Sequence, residues 1–247
     1  ELYGLHQALG EISKKDQALV VEGYMDVIAL AQAGIENAVA ALGTATTPTH
    51  IDRLFRQCNE IIFCFDGDRA GRQAAWRALE NSLPSMRDGR QASFMFLPEG
   101  EDPDTFVRKL GRDGFIERVQ KQSMPLPEYM LKHLAEGIDL QRLDGKARLA
   151  GLAKPMLNKL PRGALKTLLL HQLSEMTAMS EQELASLMQE STTRAAAGTA
   201  VKPGKATAKK QNLIGKTLSL LLHQPAMAQE IDGLEQLRLI EDRKSTR

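Results

Sequence analysis

Three acidic residues at the ends of short apolar runs are the side chains of this sequence best suited to chemistry. Glu22 follows the run 18–21, and Asp66 and Asp68 follow the run 61–65. Such runs are typical of strands buried in a parallel sheet, and ligands bind in the crevice beyond the carboxyl ends of those strands. Carboxylates gathered there repel one another unless a cation neutralises them, and their oxygens favour Mg²⁺ or Mn²⁺. The pattern therefore predicts a divalent metal site.

Each of these carboxylates also has a purely structural explanation. Glu22 alone could be a surface residue before a turn at Gly23, and Asp66 and Asp68 could cap the helix that follows them. Asp68 could do both. The joint pattern favours the metal site, because both acidic groups end a strand–helix unit at the same predicted sheet edge.

Further acidic residues are placed near the same edge. Asp26 lies one helical turn after Glu22, and Asp102 and Asp104 follow a fourth predicted strand. Asp26 could bind a second metal or support the ligands of the first, but it could equally be a first-turn residue favoured by the helix dipole.

Basic and small residues beside the acidic groups could contact phosphate. Arg69 and Arg72 follow the turn at Asp66 and Asp68, although solvated arginines on a helix surface are an equally good explanation. The loop 43–47 could hold phosphate through its backbone N–H groups, but as a motif it is weak.

The order of the predicted elements indicates how these residues are positioned. Strands are predicted at 19–21, 38–42, 61–65 and 92–97, and they alternate with helices at 25–33, 50–57 and 69–83. This alternation predicts an α/β fold with a parallel sheet, flanked by helices and joined by right-handed crossovers. Amphipathic helices follow at 126–134, 145–160, 163–176 and 180–188.

Composition divides the chain further and excludes some classes of protein. We predict a sheet domain over 1–123, a helical subdomain over 124–190, a flexible basic linker over 191–212 and the start of a truncated helical domain over 213–247. The formal net charge of +1 gives no global attraction to nucleic acid. Two cysteines without metal-type spacing suit a reducing cytosol, and no run is apolar enough to span a bilayer.

Two segments carry a resemblance to a known family. The segments 21–26 (Val-Glu-Gly-Tyr-Met-Asp) and 66–71 (Asp-Gly-Asp-Arg-Ala-Gly) resemble the Toprim module of topoisomerases and primases. With the segments 41–44 and 97–105, the sequence is most similar to the bacterial replicative DNA primases of the DnaG type. The resemblance is strong over 2–107 and extends through the helical part to residue 188. It implies that the helical subdomain 124–190 belongs to the polymerase core.

The resemblance implies a function and a division of roles. It implies synthesis of RNA primers from nucleoside triphosphates on a single-stranded DNA template at bacterial, cytoplasmic replication forks. By position, the catalytic metal ligands would be Glu22, Asp66 and Asp68, with further acidic ligands at Asp26, Asp102 and Asp104, and with Mg²⁺ or Mn²⁺ as cofactor. A replicative helicase would bind through the C-terminal domain, and zinc would be held only in an upstream module. A membrane partner is not expected.

The sequence departs from the family pattern and leaves alternatives open. It has no zinc-binding spacing of Cys and His, and it lacks the amino-terminal half of the polymerase domain, so the fragment could be inactive alone. A Toprim nuclease or a non-catalytic Toprim scaffold for DNA binding and recombination are the alternatives. A topoisomerase would need a nucleophilic tyrosine, and none of Tyr3, Tyr24 and Tyr129 has a recognisable context for that role.

Overall fold

A mixed six-stranded sheet is the centre of the molecule. The computed structural model describes residues 1–41 and 46–188. The strands of these residues are β1 (Leu2–Tyr3), β2 (Gln17–Val21), β3 (Ala38–Ala41), β4 (Glu60–Phe65), β5 (Gln91–Phe96) and β6 (Met124–Pro125). The helices are α1 (Leu5–Lys15), α2 (Tyr24–Gln32), α3 (Pro48–Leu54), α4 (Arg69–Ser82), α5 (Pro103–Gln122), α6 (Leu126–Ala135), α7 (Leu143–Lys159) and α8 (Ala164–Thr177). Residues 181–188 are also helical.

The strand order confirms the predicted fold class and corrects one part of it. The order is β1-β3-β2-β4-β5-β6, and the four strands in the middle are parallel. The two outer strands are antiparallel to their neighbours, so the sheet is mixed rather than parallel throughout. Each outer strand has only two residues. Strands so short leave no apolar run in the sequence, which is why the prediction missed them.

The central strands are apolar because helices cover both faces of the sheet. Phe63 and Phe94 are fully buried on one face, in a cluster that includes residues of α1, α3, α4, α6, α7 and α8. Cys64 and Met95 are fully buried on the other face, beneath α2 and α5. The alternation of side chains along β4 and β5 therefore separates two apolar layers.

The helices after residue 124 share the core of the sheet. Leu126, Leu149 and Leu173 are all fully buried and belong to the same apolar cluster as Phe63 and Phe94. The described residues also fall within one compact unit of the chain. The predicted division at 123/124 therefore separates the α/β part from the helical part, and both parts are packed on one core.

The predicted helices and central strands agree with the structure within a few residues, and two helices were not predicted. Helix α1 precedes the first predicted strand, and α5 follows the acidic loop. Helix α5 gives a weak signal because Gly111, with φ 71°, interrupts its helical backbone and its apolar pattern. In the part of the chain that the structure describes, every helix is too short or too polar to span a lipid bilayer.

Some predictions fall on residues that the structure does not describe. The predicted linker 191–212 and the predicted helical start 213–247 both lie outside the described residues. The same holds for most of the loop 43–47, of which only Thr46 and Thr47 are described. These three interpretations stay predictions.

The shared core predicts that sheet and helices unfold together. Leu126→Ala removes a fully buried side chain at the start of α6, and it should lower the free energy of unfolding by about 3 kcal/mol. Denaturant unfolding followed through the fluorescence of Trp76, which contacts α6, should show one transition that shifts as a whole. Leu168→Ala in α8 is the control, because Leu168 is 65% exposed. If Leu126→Ala left the midpoint of the Trp76 unfolding transition unchanged, the sheet and the helices would not share one core.

Candidate active site

Glu22 and Asp66 meet because they follow adjacent parallel strands. Glu22 is the first residue after β2, and Asp66 is the first residue after β4. The two strands pair in parallel, with Leu19 opposite Ile62, so their carboxyl ends lie at the same edge of the sheet. The Asp66 backbone N–H donates a hydrogen bond to Oε1 of Glu22 over 3.3 Å. The predicted convergence of these two residues is therefore present.

Two glycines give the turn after β4 its tight course. A Cβ atom on Gly67 would lie 2.1 Å from the carbonyl oxygen of Leu97, and one on Gly71 would lie 2.2 Å from the carbonyl oxygen of Asp66. Both distances are far below van der Waals contact, so only glycine allows this approach of the backbones. The turn between the two glycines holds Asp68 at the start of α4.

Asp68 serves as the cap of α4. Its Oδ1 accepts a hydrogen bond from the Gly71 N–H over 2.7 Å, which is the bond that a helix cap makes. Asp68 is exposed, and its negative charge acts on both Glu22 and Asp66. The residue therefore combines a capping role with a place in the acidic cluster.

Asp26 lies in the first turn of α2 and faces the same cluster. Its Oδ2 accepts a hydrogen bond from the Gly23 N–H over 3.0 Å, which stabilises the entry to the helix. The same side chain is half-buried and is close enough to Asp66 and Asp102 for their charges to act on it. Both explanations of Asp26 are thus compatible with its position.

The two acidic residues of the loop after β5 differ in their surroundings. Asp102 caps α5, and its Oδ1 accepts a hydrogen bond from the Thr105 N–H over 2.7 Å. Asp104 instead binds Arg108 with both oxygens, at 2.6 Å from Nε and 3.1 Å from Nη2. The carboxylate of Asp102 therefore adds charge to the cluster, whereas that of Asp104 is already neutralised within α5.

Burial and the neighbouring carboxylates both raise pKa values in this cluster. Burial is the largest cause of the raised pKa of Asp66, and together with the charges of Glu22, Asp102 and Asp68 it brings that pKa to about 6. Burial also raises the pKa of Glu22, although the Asp66 N–H opposes the shift. The pKa of Asp26 is raised chiefly by burial as well. The pKa of Asp102 is lowered, because the Thr105 N–H stabilises its ionised form.

A layer of apolar residues lies directly beneath these charges. Cys64, two residues before Asp66 on β4, is fully buried, and burial raises the pKa of its thiol. The charges of Asp66, Asp26 and Glu22 raise that pKa further. Cys64 therefore stays an uncharged thiol packed beneath the site, and it acts neither as a metal ligand nor as a nucleophile.

The oxygen donors of the cluster are those that a hard cation prefers, but they do not form a complete coordination shell. Among the described residues, no three His, Cys, Asp or Glu side chains already stand in the arrangement of a metal site. Hard oxygen donors surround one strand end, however, and Mg²⁺ characteristically takes one or two carboxylates and completes its shell with water or phosphate. Arg69 and Arg72 are exposed on α4, and their predicted phosphate contacts stay predictions.

Two cations beside the acidic loop were not predicted from the sequence. Lys109 forms a short ion pair with Glu101, and Arg108 pairs with Asp104. The spacing from Asp104 to Arg108, four residues along a helix, was the available signal. It was missed because α5 itself was not predicted.

Family models match two regions of the chain. Residues 19–107 match the model described as Toprim-like, and this region contains all six predicted acidic residues. Residues 127–182 match the model described as the DnaB-helicase binding domain of primase. The second match falls on α6, α7 and α8, in the region that the resemblance placed in the polymerase core.

Curated relatives are similar over most of this chain. The DNA primase of Pseudomonas aeruginosa is 54% identical over 187 residues, which are 76% of this chain and 28% of that protein. The DNA primase of Escherichia coli K12 is 45% identical over 238 residues, which are 96% of this chain and 40% of that protein. The chain therefore spans between about a quarter and two fifths of the length of these relatives.

Solved structures share the fold. A DNA primase domain from Pseudomonas aeruginosa matches with a TM-score of 0.74 and 53% identity, over 76% of this chain and 59% of that chain. A DnaG primase catalytic domain bound to single-stranded DNA matches with a TM-score of 0.70 and 50% identity, over 74% of this chain and 58% of that chain.

Because the fold raises the pKa of Asp66, replacing this residue with a neutral one should raise the free energy of unfolding, by an amount that depends on pH. Asp66 has an ordinary pKa near 3.8, and in the fold about 6, so the folded chain loses stability as pH rises from about 4 to about 6. Without divalent cations, Asp66→Asn should therefore be more stable than the wild type above pH 6, by about 1 kcal/mol after solvent screening. The gain should vanish near pH 4.

Denaturant unfolding at several pH values measures this difference. Asp113→Asn is the matched control, because the Asp113 side chain is 94% exposed. A loss of stability in Asp66→Asn above pH 6 would show that the carboxylate is held by favourable contacts rather than crowded by its neighbours.

The turn after β4 predicts a steric effect that is independent of charge. Gly67→Ala places a methyl group against the Leu97 carbonyl and should cost about 2 kcal/mol of unfolding free energy, as overpacked sites do. Gly10→Ala in α1 adds the same group where nothing lies within 4 Å, so it should be neutral or slightly stabilising. Equal stabilities of the two variants, measured in denaturant, would refute the close approach.

Proposed function

We propose that this chain, which has the Toprim-containing catalytic core of the bacterial DnaG-type primases, provides the metal-dependent catalytic centre for RNA primer synthesis. The resemblance drawn from the sequence is confirmed by family models and by primase relatives at 45–54% identity. The observation that carries the proposal is the crowding of Glu22, Asp66 and Asp68 at one sheet edge, where Asp66 has a pKa raised to about 6. The chain spans only part of the length of its relatives, so primer synthesis as a whole is part of the proposal.

The donor set fits Mg²⁺ or Mn²⁺. Glu22, Asp66 and Asp68 would hold the cation, and Asp26 and Asp102 would place further negative charge beside it. When bound, the metal would lower the pKa of the attacking hydroxyl and neutralise charge on the phosphates. Asp104 would contribute least, because Arg108 already neutralises its carboxylate.

The side chains of this site suit positioning rather than covalent catalysis. In-line phosphoryl transfer requires aligned oxygens and neutralised charge, and it needs no nucleophile from the protein. The fully buried Cys64 beneath the site agrees with this, since burial raises the pKa of its thiol and keeps it neutral. The substrates would be nucleoside triphosphates and a single-stranded DNA template, with an RNA primer as product. Arg69 and Arg72, both exposed on α4, are proposed as phosphate contacts.

Two other functions use the same module. A Toprim nuclease would need the same carboxylates and metal, but it would cleave DNA instead of extending a primer. A Toprim scaffold for DNA binding or recombination would not need the acidic cluster, whose mutual repulsion lowers stability. The cluster therefore favours an enzyme, and the primase relatives favour synthesis over cleavage.

A replicative helicase is the proposed protein partner. The match of residues 127–182 to a helicase-binding domain of primase supports a contact through α6, α7 and α8. The start of a helicase-binding domain predicted at 213–247 lies outside the described residues, and that assignment stays a prediction.

A chimaeric primase tests the catalytic proposal. Residues 1–188 of this chain would replace the matching segment of the Pseudomonas aeruginosa DNA primase, to which the chain is 54% identical. The chimaera should extend primers on single-stranded DNA with Mg²⁺, and chelation should abolish the activity. Glu22→Gln, Asp66→Asn and Asp68→Asn should each lower the rate about 100-fold or more, as expected when transition-state charge is no longer neutralised.

Asp113→Asn in the chimaera is the control, because it removes an exposed carboxylate of the same type. Labelled template is followed in the same reactions to detect cleavage. Folded Asp66→Asn chimaera that primes at the control rate would overturn the catalytic role, and metal-dependent template cleavage without primers would favour the nuclease.

A further inference from the structure

A second concave site lies between α4 and α6, beside the ends of β5 and β6. It is a cavity of about 500 Å³, within the size range of small-ligand pockets. Helix α4, the end of β5, β6 and α6 form its walls. The side chains that matter for its chemistry are Arg72, Phe96, Tyr129, Lys132, His133 and Glu136. The function proposed above uses only one of them, Arg72.

Aromatic rings form one wall of this pocket and are packed against one another. Phe96 and Tyr129 have ring centroids 5.4 Å apart, and Tyr129 is almost fully buried. The His133 ring stacks on Trp76 at 4.3 Å, with 29° between the ring planes. Trp76 in turn meets Tyr129 edge to face at 6.4 Å. The wall is therefore a rigid aromatic surface, which suits a planar ligand.

Charged groups stand at the mouth of the pocket. Arg72 and Lys132 are both exposed and bring positive charge from α4 and α6. Glu136 is exposed on the same rim and offers an acceptor, 3.7 Å from Nδ1 of His133. A ligand with one planar apolar face and one anionic group would match both the wall and the two cations.

The pocket is built on the same elements as the acidic cluster. Phe96 is opposite Phe65 in the pairing of β4 and β5, and Phe65 directly precedes Asp66. Arg72 lies one turn into α4 from Asp68, whose carbonyl accepts the Arg72 N–H over 3.1 Å. The pocket and the carboxylates are therefore held by the same strand ends and the same helix.

We propose that this pocket binds one nucleotide unit, with its base against Phe96, which the buried Tyr129 ring supports from behind, and its phosphate between Arg72 and Lys132. Aromatic stacking with sequence tolerance and cations along the backbone are the chemistry of single-strand recognition. A free nucleotide and a nucleotide within a single strand share this chemistry. The inference rests on the proposed function for the identity of the ligand, but its test needs no catalysis.

The single tryptophan of the chain gives a direct readout. The indole N–H of Trp76 donates to Glu80 over 3.1 Å, beneath the stacked His133 ring. We would follow its one NMR resonance in the isotope-labelled chain, with chelator present so that metal-dependent chemistry is absent. Oligothymidylate and thymidine triphosphate would be titrated separately. The resonance should move in a saturable manner with at least one of them.

Two substitutions separate stacking from charge. Phe96→Leu keeps an apolar side chain but removes the ring, and Lys132→Glu reverses one cation of the rim. Each should weaken binding about tenfold, in line with the loss of one stacked base or one phosphate contact. Lys121→Glu is the matched control, since Lys121 is exposed on α5 and does not line the pocket. It should change the affinity by less than about twofold at moderate salt.

The outcomes decide the proposal and its ligand. Saturation by both probes, with the loss in Phe96→Leu and Lys132→Glu, supports a site for a nucleotide unit. Saturation by the oligonucleotide alone would identify single-stranded DNA as the ligand of the pocket. Saturation by the triphosphate alone would identify the free nucleotide as the ligand. An unmoved resonance, or equal weakening by Lys121→Glu, overturns the pocket. Primer synthesis by the chimaera would then still stand, because its test depends on Glu22, Asp66 and Asp68.

Discussion

The contact of the Asp66 backbone with the Glu22 carboxylate is the constraint on which the rest of this structure depends. It requires β2 and β4 to be parallel neighbours that end at the same level. The turn after β4 must then be tight enough to bring Asp68 back to the start of α4, and Gly67 and Gly71 alone permit that course. The result is a local excess of half-buried negative charge that lowers the stability of the fold, and burial together with this charge raises the pKa of Asp66.

The sheet keeps this charge separate from the two apolar layers that stabilise the fold. One layer holds Cys64 and Met95 beneath α2 and α5, and the other joins Phe63 and Phe94 to the helices after residue 124. Because those helices share the core, their packing contributes to the stability of the sheet. Helix α4 is the element common to both sites, since it begins at the cap Asp68 and carries Arg72 toward the aromatic pocket.

The sequence predicted those residues of the site that directly follow an apolar run, because such a run indicates a strand and its last residue marks the sheet edge. Apolar runs ending in Glu22 and Asp66 were sufficient, because the end of a parallel strand defines an edge. Asp68 and Asp102 illustrate the limit of such reasoning. Each was a candidate ligand and each is also a helix cap, and only the hydrogen bonds to Gly71 and Thr105 show that both carry the second role. The four-residue spacing of Asp104 and Arg108 indicated their ion pair only once the helix that contains both was known, and Gly111 interrupts the pattern of that helix.

The sequence by itself determined the α/β class, the central parallel strands and the set of carboxylates, since strand burial and acidic spacing are local properties. It also determined the resemblance to primases, because that rests on short contiguous motifs. Only the tertiary structure decided the antiparallel outer strands, the shared core of sheet and helices, and the pocket between α4 and α6. These depend on which distant segments pair, such as Phe94 with Met124 and Trp76 with His133. Contacts between residues so far apart in the chain follow from packing of the whole core, which leaves no local pattern to read.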